Sequence, residues 1–262
     1  MTGSLDLFPP PPNGISDDSR GYFNFMDYHI VSSDEVPGLF CVIGVYHDES
    51  RLRAAVLLSE TREWKIFPWA DAGMPPSEED RYWLHISSRA NGSIYWLHTI
   101  QPYILVLDIA TMHFSRIDLP QELQGQGYMF RVGEAKDGKL CTVCAIDFTL
   151  FVWFWRTDGD GVEKWVLDKM IPLQEVVVEA IGGSPEDHAG VKVMEIINGF
   201  VYLSTYETFI DANFPGWFLS FCLETSQLQK FFQKRYDSHV HPYIMAWPPS
   251  LVGNKVKTQL DY

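Results

Sequence analysis

The sequence predicts an all-β fold: a propeller-like array of about four to five four-stranded blades, in a ring that need not be complete. Three observations predict it. A pair of strands led by a large apolar residue recurs at near-constant spacing, turn dipeptides recur upstream of each pair, and segments with helical periodicity are few.

The recurring pair comes first. AAVLLSETREWKIFPW (54–69), LVLDIATMHFSRIDLP (105–120), LFVWFWRTDGDGVEKWVLDKMIPL (150–173) and LSFCLETSQLQKFF (219–232) each alternate apolar residues, break at a short polar turn, and resume. The second run is led by Trp64, Phe114, Trp165 and Leu228, at intervals of 50, 51 and 63 residues. Thr61, Thr111 and Thr225 stand three places before three of these leaders, and Val162 before the other.

The turn marker comes next. NGSIYWLH (91–98), DGKLCTVC (137–144) and NGFVYLST (198–205) place Asn-Gly or Asp-Gly before a β-branched and aromatic run, and PGLFCVIGVY (37–46) is a weaker first copy. Those dipeptides tolerate the positive φ of a tight hairpin. A further strand, expected on the outside, precedes each unit: YHIV (28–31), WLHIS (83–87), YMFRV (128–132) and VKVMEII (191–197). Four strands in about 50 residues is the kelch-like blade length. Stacked sheets bury their apolar faces, and radial closure protects their edges. A β-sandwich, whose turns recur at similar spacing, is the alternative.

Residues 1–20 are expected to be a flexible N-terminal segment, 21–252 the propeller-like domain, and 253–262 a C-terminal tail. Glu78–Trp83 reads as one helical turn, and Leu173–Ile181 is open between helix and strand. The long third interval leaves room for the loops 179–190 and 205–216, at rim positions where propellers usually bind.

Of the 262 residues 46% are hydrophobic and 15% aromatic, which excludes wholesale disorder. The 20 Lys and Arg against 34 Asp and Glu give a net charge of −14, which argues against nucleic-acid or anionic-membrane partners. The first cationic side chain is Arg20 and no apolar run follows the start, so no secretory signal is expected. Leu140–Trp155, the most apolar run, falls short of the ~20 residues that span a bilayer and reads as two core strands with a turn. The C-terminal QLDY is neither a lipidation nor a retention signal. A cytoplasmic or nuclear setting with free thiols is expected, and Asn91-Gly92-Ser93 reads as a turn rather than a glycosylation site.

Chemistry-bearing motifs are sparse. Asp237, His239 and His241 would share one face of a strand and suit a transition metal, but polar alternation in an exposed tail explains them as well. Cys141 and Cys144 form a CxxC inside a strand-like run, so their thiols should point to opposite faces, and Cys41 and Cys222 supply no second pair. Asp158-Gly159-Asp160-Gly161 opens like a calcium loop but lacks the later ligands, and reads as a hairpin tip. Glu78, Glu79 and Asp80 read as solvated loop carboxylates. Trp83, Trp217 and Trp247 are candidates for an exposed stacking surface. No GxSxG, HExxH, GxGxxG or phosphate loop occurs. The expectation is no enzyme, with no catalytic, cofactor-binding or metal residue assigned, and with the partner-binding residues unassigned.

GSIYWL (92–97), ILVLDIATMHFSRIDLP (104–120), WFLSFCLETSQLQKFF (217–232) and PYIMAWPPSLV (242–252) together resemble a plant family, chiefly of grasses, of F-box-like proteins with a propeller-type associated domain. The resemblance runs from about Phe8 to Val252. It implies a module that recruits the protein to be ubiquitinated, whereas an N-terminal F-box docks on the Skp-type adaptor of a cullin ligase. About 20 residues precede the first repeat, too few for an F-box, so only the recruiting half is expected and direct adaptor binding is not. The kelch-type double glycine occurs only as Gly182-Gly183, in a loop. The alternatives are a propeller that binds a carbohydrate or small ligand, and a truncated remnant without function.

Overall fold

The computed structural model describes residues 8–32, 36, 38–71, 84–98, 102–124, 129–182, 189–206 and 216–234. These fall into two compact units, 8–69 and 70–234.

The first unit holds one antiparallel sheet of β1 (Asn24–Ser32), β2 (Phe40–His47), β3 (Arg51–Leu58) and β4 (Trp64–Ile66), in that order. Residues 8–20 run along this sheet. A 3-10 turn over Asn13–Ser16 buries Ile15 in a cluster with Tyr46 and Ala55. Arg53, itself buried, donates Nη1 to the carbonyls of Gly14, Ile15 and Asp17 at 3.3, 2.9 and 3.0 Å. The Trp64 indole donates to Pro9 O at 2.9 Å. The segment's carbonyls are thus consumed by donors of the sheet, which holds it in place. The buried Asp48 carboxylate accepts from the amides of Arg20, Ser50 and Arg51 and from Arg51 Nε.

In the second unit the two-residue β5 (Ala70–Asp71) is followed by three four-stranded meanders. They are β6 (Leu84–Ala90), β7 (Ser93–His98), β8 (Tyr103–Asp108), β9 (Phe114–Asp118); β10 (Phe130–Glu134), β11 (Leu140–Ile146), β12 (Thr149–Thr157), β13 (Glu163–Pro172); and β14 (Gly190–Ile197), β15 (Phe200–Tyr206), β16 (Gly216–Cys222), β17 (Leu228–Lys234). Every neighbouring pair is antiparallel.

The middle sheet is covered on both faces, because its strands are apolar at odd and even positions alike. Cys141, Val143, Ala145, Leu150 and Val152 pack against Val191, Val193, Val201, Leu203, Leu219 and Phe221 of the last sheet. Leu140, Cys144 and Trp153, with Phe130 and Val132, pack against Tyr95, Leu97, Ile104 and Val106 of the preceding one. Three sheets in a row with a core in each gap is a blade stack, not the two-layer sandwich.

The leading strands need correction. Expected on the outside, β6, β10 and β14 are instead the strands through which successive sheets approach, with β10 against both β6 and β14. Gly133 permits this: a Cβ there would collide with Ile196 of β14. Leu173–Ile181 resolves as helix α1 (Gln174–Ile181), whose Val177 and Ile181 enter the same core with Leu173, one turn apart each. Leu140–Trp155 is the expected strand pair, turning at Asp147-Phe148.

The repeat has a physical identity in its last hairpin. Leu58, Asp108 and Cys222 each accept from the amide four residues on, Arg62, Met112 and Ser226, at 2.8, 2.8 and 2.9 Å. Those three residues all take positive φ, 58, 56 and 56°. Trp64, Phe114 and Leu228 then open the following strand, as the spacing implied. Trp165 does not: it is the third residue of β13, because the Asp158 carboxylate closes a different turn on the amides of Asp160 and Val162.

Candidate functional site

Within the second unit a cleft of about 670 Å³ opens where three hairpins meet the strands β12 and β13. The hairpins are β10–β11 around Lys136, β14–β15 at Asn198-Gly199 and β16–β17 over Leu223–Thr225. Backbone bonds lock them together: Gly199 N donates to Glu134 O at 2.8 Å and Leu223 N to Gly199 O at 3.0 Å. Asn198 and Gly199 both hold positive φ, the tight turn read from the sequence.

Each carboxylate of the cleft is held by a cation. Glu224 pairs with Lys136 at 2.8 Å, Asp137 with Lys139 at 2.6 Å, and Asp168 with Arg156 at 2.6 Å. Lys169 Nζ donates to Leu223 O at 3.2 Å, tying the last hairpin to β13. What remains for a ligand is the amide chemistry of Asn198, Gln227 and Gln229, with the Lys169 ammonium, beside the rings of Phe154 and Phe200. Phe200 is 39% exposed.

Cys222 lines the same cleft. Burial alone would raise its pKa, but the Thr225 hydroxyl and the amides of Thr225 and Glu224 hold it below the usual thiol value. In the equivalent hairpin the carboxylate of Asp108 accepts from the Thr111 amide and hydroxyl, both at 2.7 Å, so the thiol stands where an anion stands two sheets earlier.

The sequence-derived candidates separate. Cys141 and Cys144 enter opposite cores, as strand alternation required, and burial pushes their thiols up to about 12 and about 11. Asp158–Gly161 is a hairpin tip, with Lys164 on the Asp158 carboxylate at 2.9 Å. Trp217 is partly buried beside the core and carries Lys230 Nζ 4.8 Å over its ring. Asp237, His239, His241, Glu78, Glu79, Asp80, Trp83 and Trp247 lie outside the described residues, as do the tips of the loops 179–190 and 205–216. Among the described residues no metal-ligating cluster occurs, and no helix is long and apolar enough to cross a membrane.

The family model described as "F-box protein AT5G49610-like, beta-propeller" matches residues 2–251. None of the curated proteins matches the sequence. Similar solved structures include the N-terminal domain of Nup159, 11% identical, over 80% of this chain and 48% of that one, with a TM-score of 0.38. TolB from Acinetobacter baumannii is 10% identical over 83% of this chain and 54% of its own, with a TM-score of 0.37. The polysaccharide lyase Uly1 is 9% identical over 83% and 53%, with a TM-score of 0.40. The chain spans about half the length of these solved chains.

Proposed function

Because the chain belongs to the AT5G49610-like β-propeller family of F-box proteins, we propose that it is a non-catalytic protein-interaction module that recruits the substrate of a ubiquitin ligase. The observation that carries the reading is the cleft. Hairpins from two adjacent sheets surround an exposed Phe200 with neutral hydrogen-bonding side chains, while the local carboxylates are already paired with cations. An apolar anchor ringed by amides suits an extended segment of a partner protein, whose backbone needs both donors and acceptors.

The test is proximity labelling in native tissue with the wild type and Phe200→Asp. The substitution is expected to remove a defined set of partners while the circular dichroism spectrum stays unchanged. An identical partner set would reject the cleft as the contact surface. A second reading, a carbohydrate or small-ligand site, draws on the volume, which falls within the roughly 300–1,000 Å³ of such sites. Saturable glycan binding that Phe200→Asp abolishes, with partners unchanged, would favour it.

A further inference from the structure

One charged cluster lies apart from the cleft, where β10 approaches β14. It brings together two cations, Arg131, 5% exposed, and the half-buried Lys192. Arg131 Nε donates to Met194 O at 3.1 Å and Nη1 to Phe130 O at 2.8 Å. Among the described residues its Nη2 and the Lys192 ammonium have no hydrogen-bond or ion-pair partner, and neither is an enclosed atom. Burial first and the Arg131 charge second press the Lys192 pKa below its usual value. Glu195 is the acid that acts on Arg131, yet it accepts from the Ile196 amide at 3.3 Å and forms no ion pair among the described residues.

Two like charges partly withdrawn from water cost free energy unless something offsets them. The rest of the molecule cannot be credited with a general pull on anions, since its net charge is −14. The open donors are one guanidinium nitrogen and an ammonium, which between them can hold an anion with two or more oxygens.

We propose that the meeting of β10 and β14 is an oxyanion site, which takes a carboxylate or phosphate group between Arg131 Nη2 and Lys192 Nζ. The group comes either from a free small acid or from an acidic side chain of a bound protein. The site does not rest on the reading of the cleft, because small probes test it without a partner.

The experiment is isothermal titration of the full chain with inorganic phosphate, acetate and a hexaglutamate peptide, against chloride at equal ionic strength. Phosphate and acetate are expected to bind and chloride not to. Lys192→Gln is expected to weaken binding about tenfold, the loss of one charged donor, without lowering the melting temperature. Glu195→Gln is expected to tighten it by a similar factor, since it removes a competing negative charge, and Lys192→Arg should keep it. Tighter binding of hexaglutamate than of phosphate assigns the protein source, and the reverse assigns a free acid. Phosphate and acetate that behave like chloride would overturn the site, as would binding that Lys192→Gln and Glu195→Gln both leave unchanged.

Discussion

Single residues set the chemistry this molecule offers. Cys141 and Cys144 sit in dry cores that favour the neutral thiol, whereas Cys222 sits in a ring of donors that favours the thiolate. A disulfide reagent at neutral pH should therefore label Cys222 and leave Cys141 and Cys144 untouched until the protein unfolds. Mass spectrometry of the labelled peptides checks this, and early labelling of Cys141 would contradict the burial argument. The same two thiols carry an alkaline liability. Their folded pKa lies above the unfolded value, so the stability they contribute is complete below about pH 9 and falls as the pH rises toward 11–12. Urea midpoints from pH 8 to 11 should decline, and less steeply in Cys141→Ala. Asp48 has the opposite sign. Burial would raise its pKa, but Arg51 and the amides of Ser50, Arg20 and Arg51 hold it below normal, so its stabilisation is present above about pH 4 and lost on further acidification. None of the cleft's ion pairs was legible in the sequence. Lys136 and Glu224 are 88 residues apart, and only the meeting of two hairpins makes them neighbours.

At the scale of elements, the repeated hairpin is the most informative piece. Arg62, Met112 and Ser226 all adopt left-handed φ without being glycine, a conformation that costs an L-residue roughly 1–2 kcal/mol. Ser226→Gly should stabilise the protein by about 0.5–1 kcal/mol, the relief less the added freedom of the unfolded chain. Thermal unfolding measures it, and a destabilisation would mean that the turn is not held by its backbone bonds. The threonines and the apolar leaders exposed this hairpin in the sequence, because the turn needs a short polar loop and the next strand needs an apolar first residue. The pattern failed at Trp165, where an aspartate-closed turn of different length intervenes. It also misplaced β6, β10 and β14, since strand periodicity reports which faces are buried and not which strand leads toward the neighbouring sheet.

At the scale of the molecule, the array was legible from spacing alone, because each four-strand unit must cover the face of another. The lead-in at 8–20 was not, since its attachment comes from Arg53 and Trp64 donating to its carbonyls and no apolar pattern records that. Leu219, fully buried between the last two sheets, should cost about 2–5 kcal/mol as Leu219→Ala. A chemical denaturation curve reads the loss, and a cost under about 1 kcal/mol would show a loosely filled gap. The doubly covered middle sheet carries a historical consequence. A lineage can lengthen such a stack by duplicating whole units, but it cannot delete β10–β13 without stripping two neighbours at once.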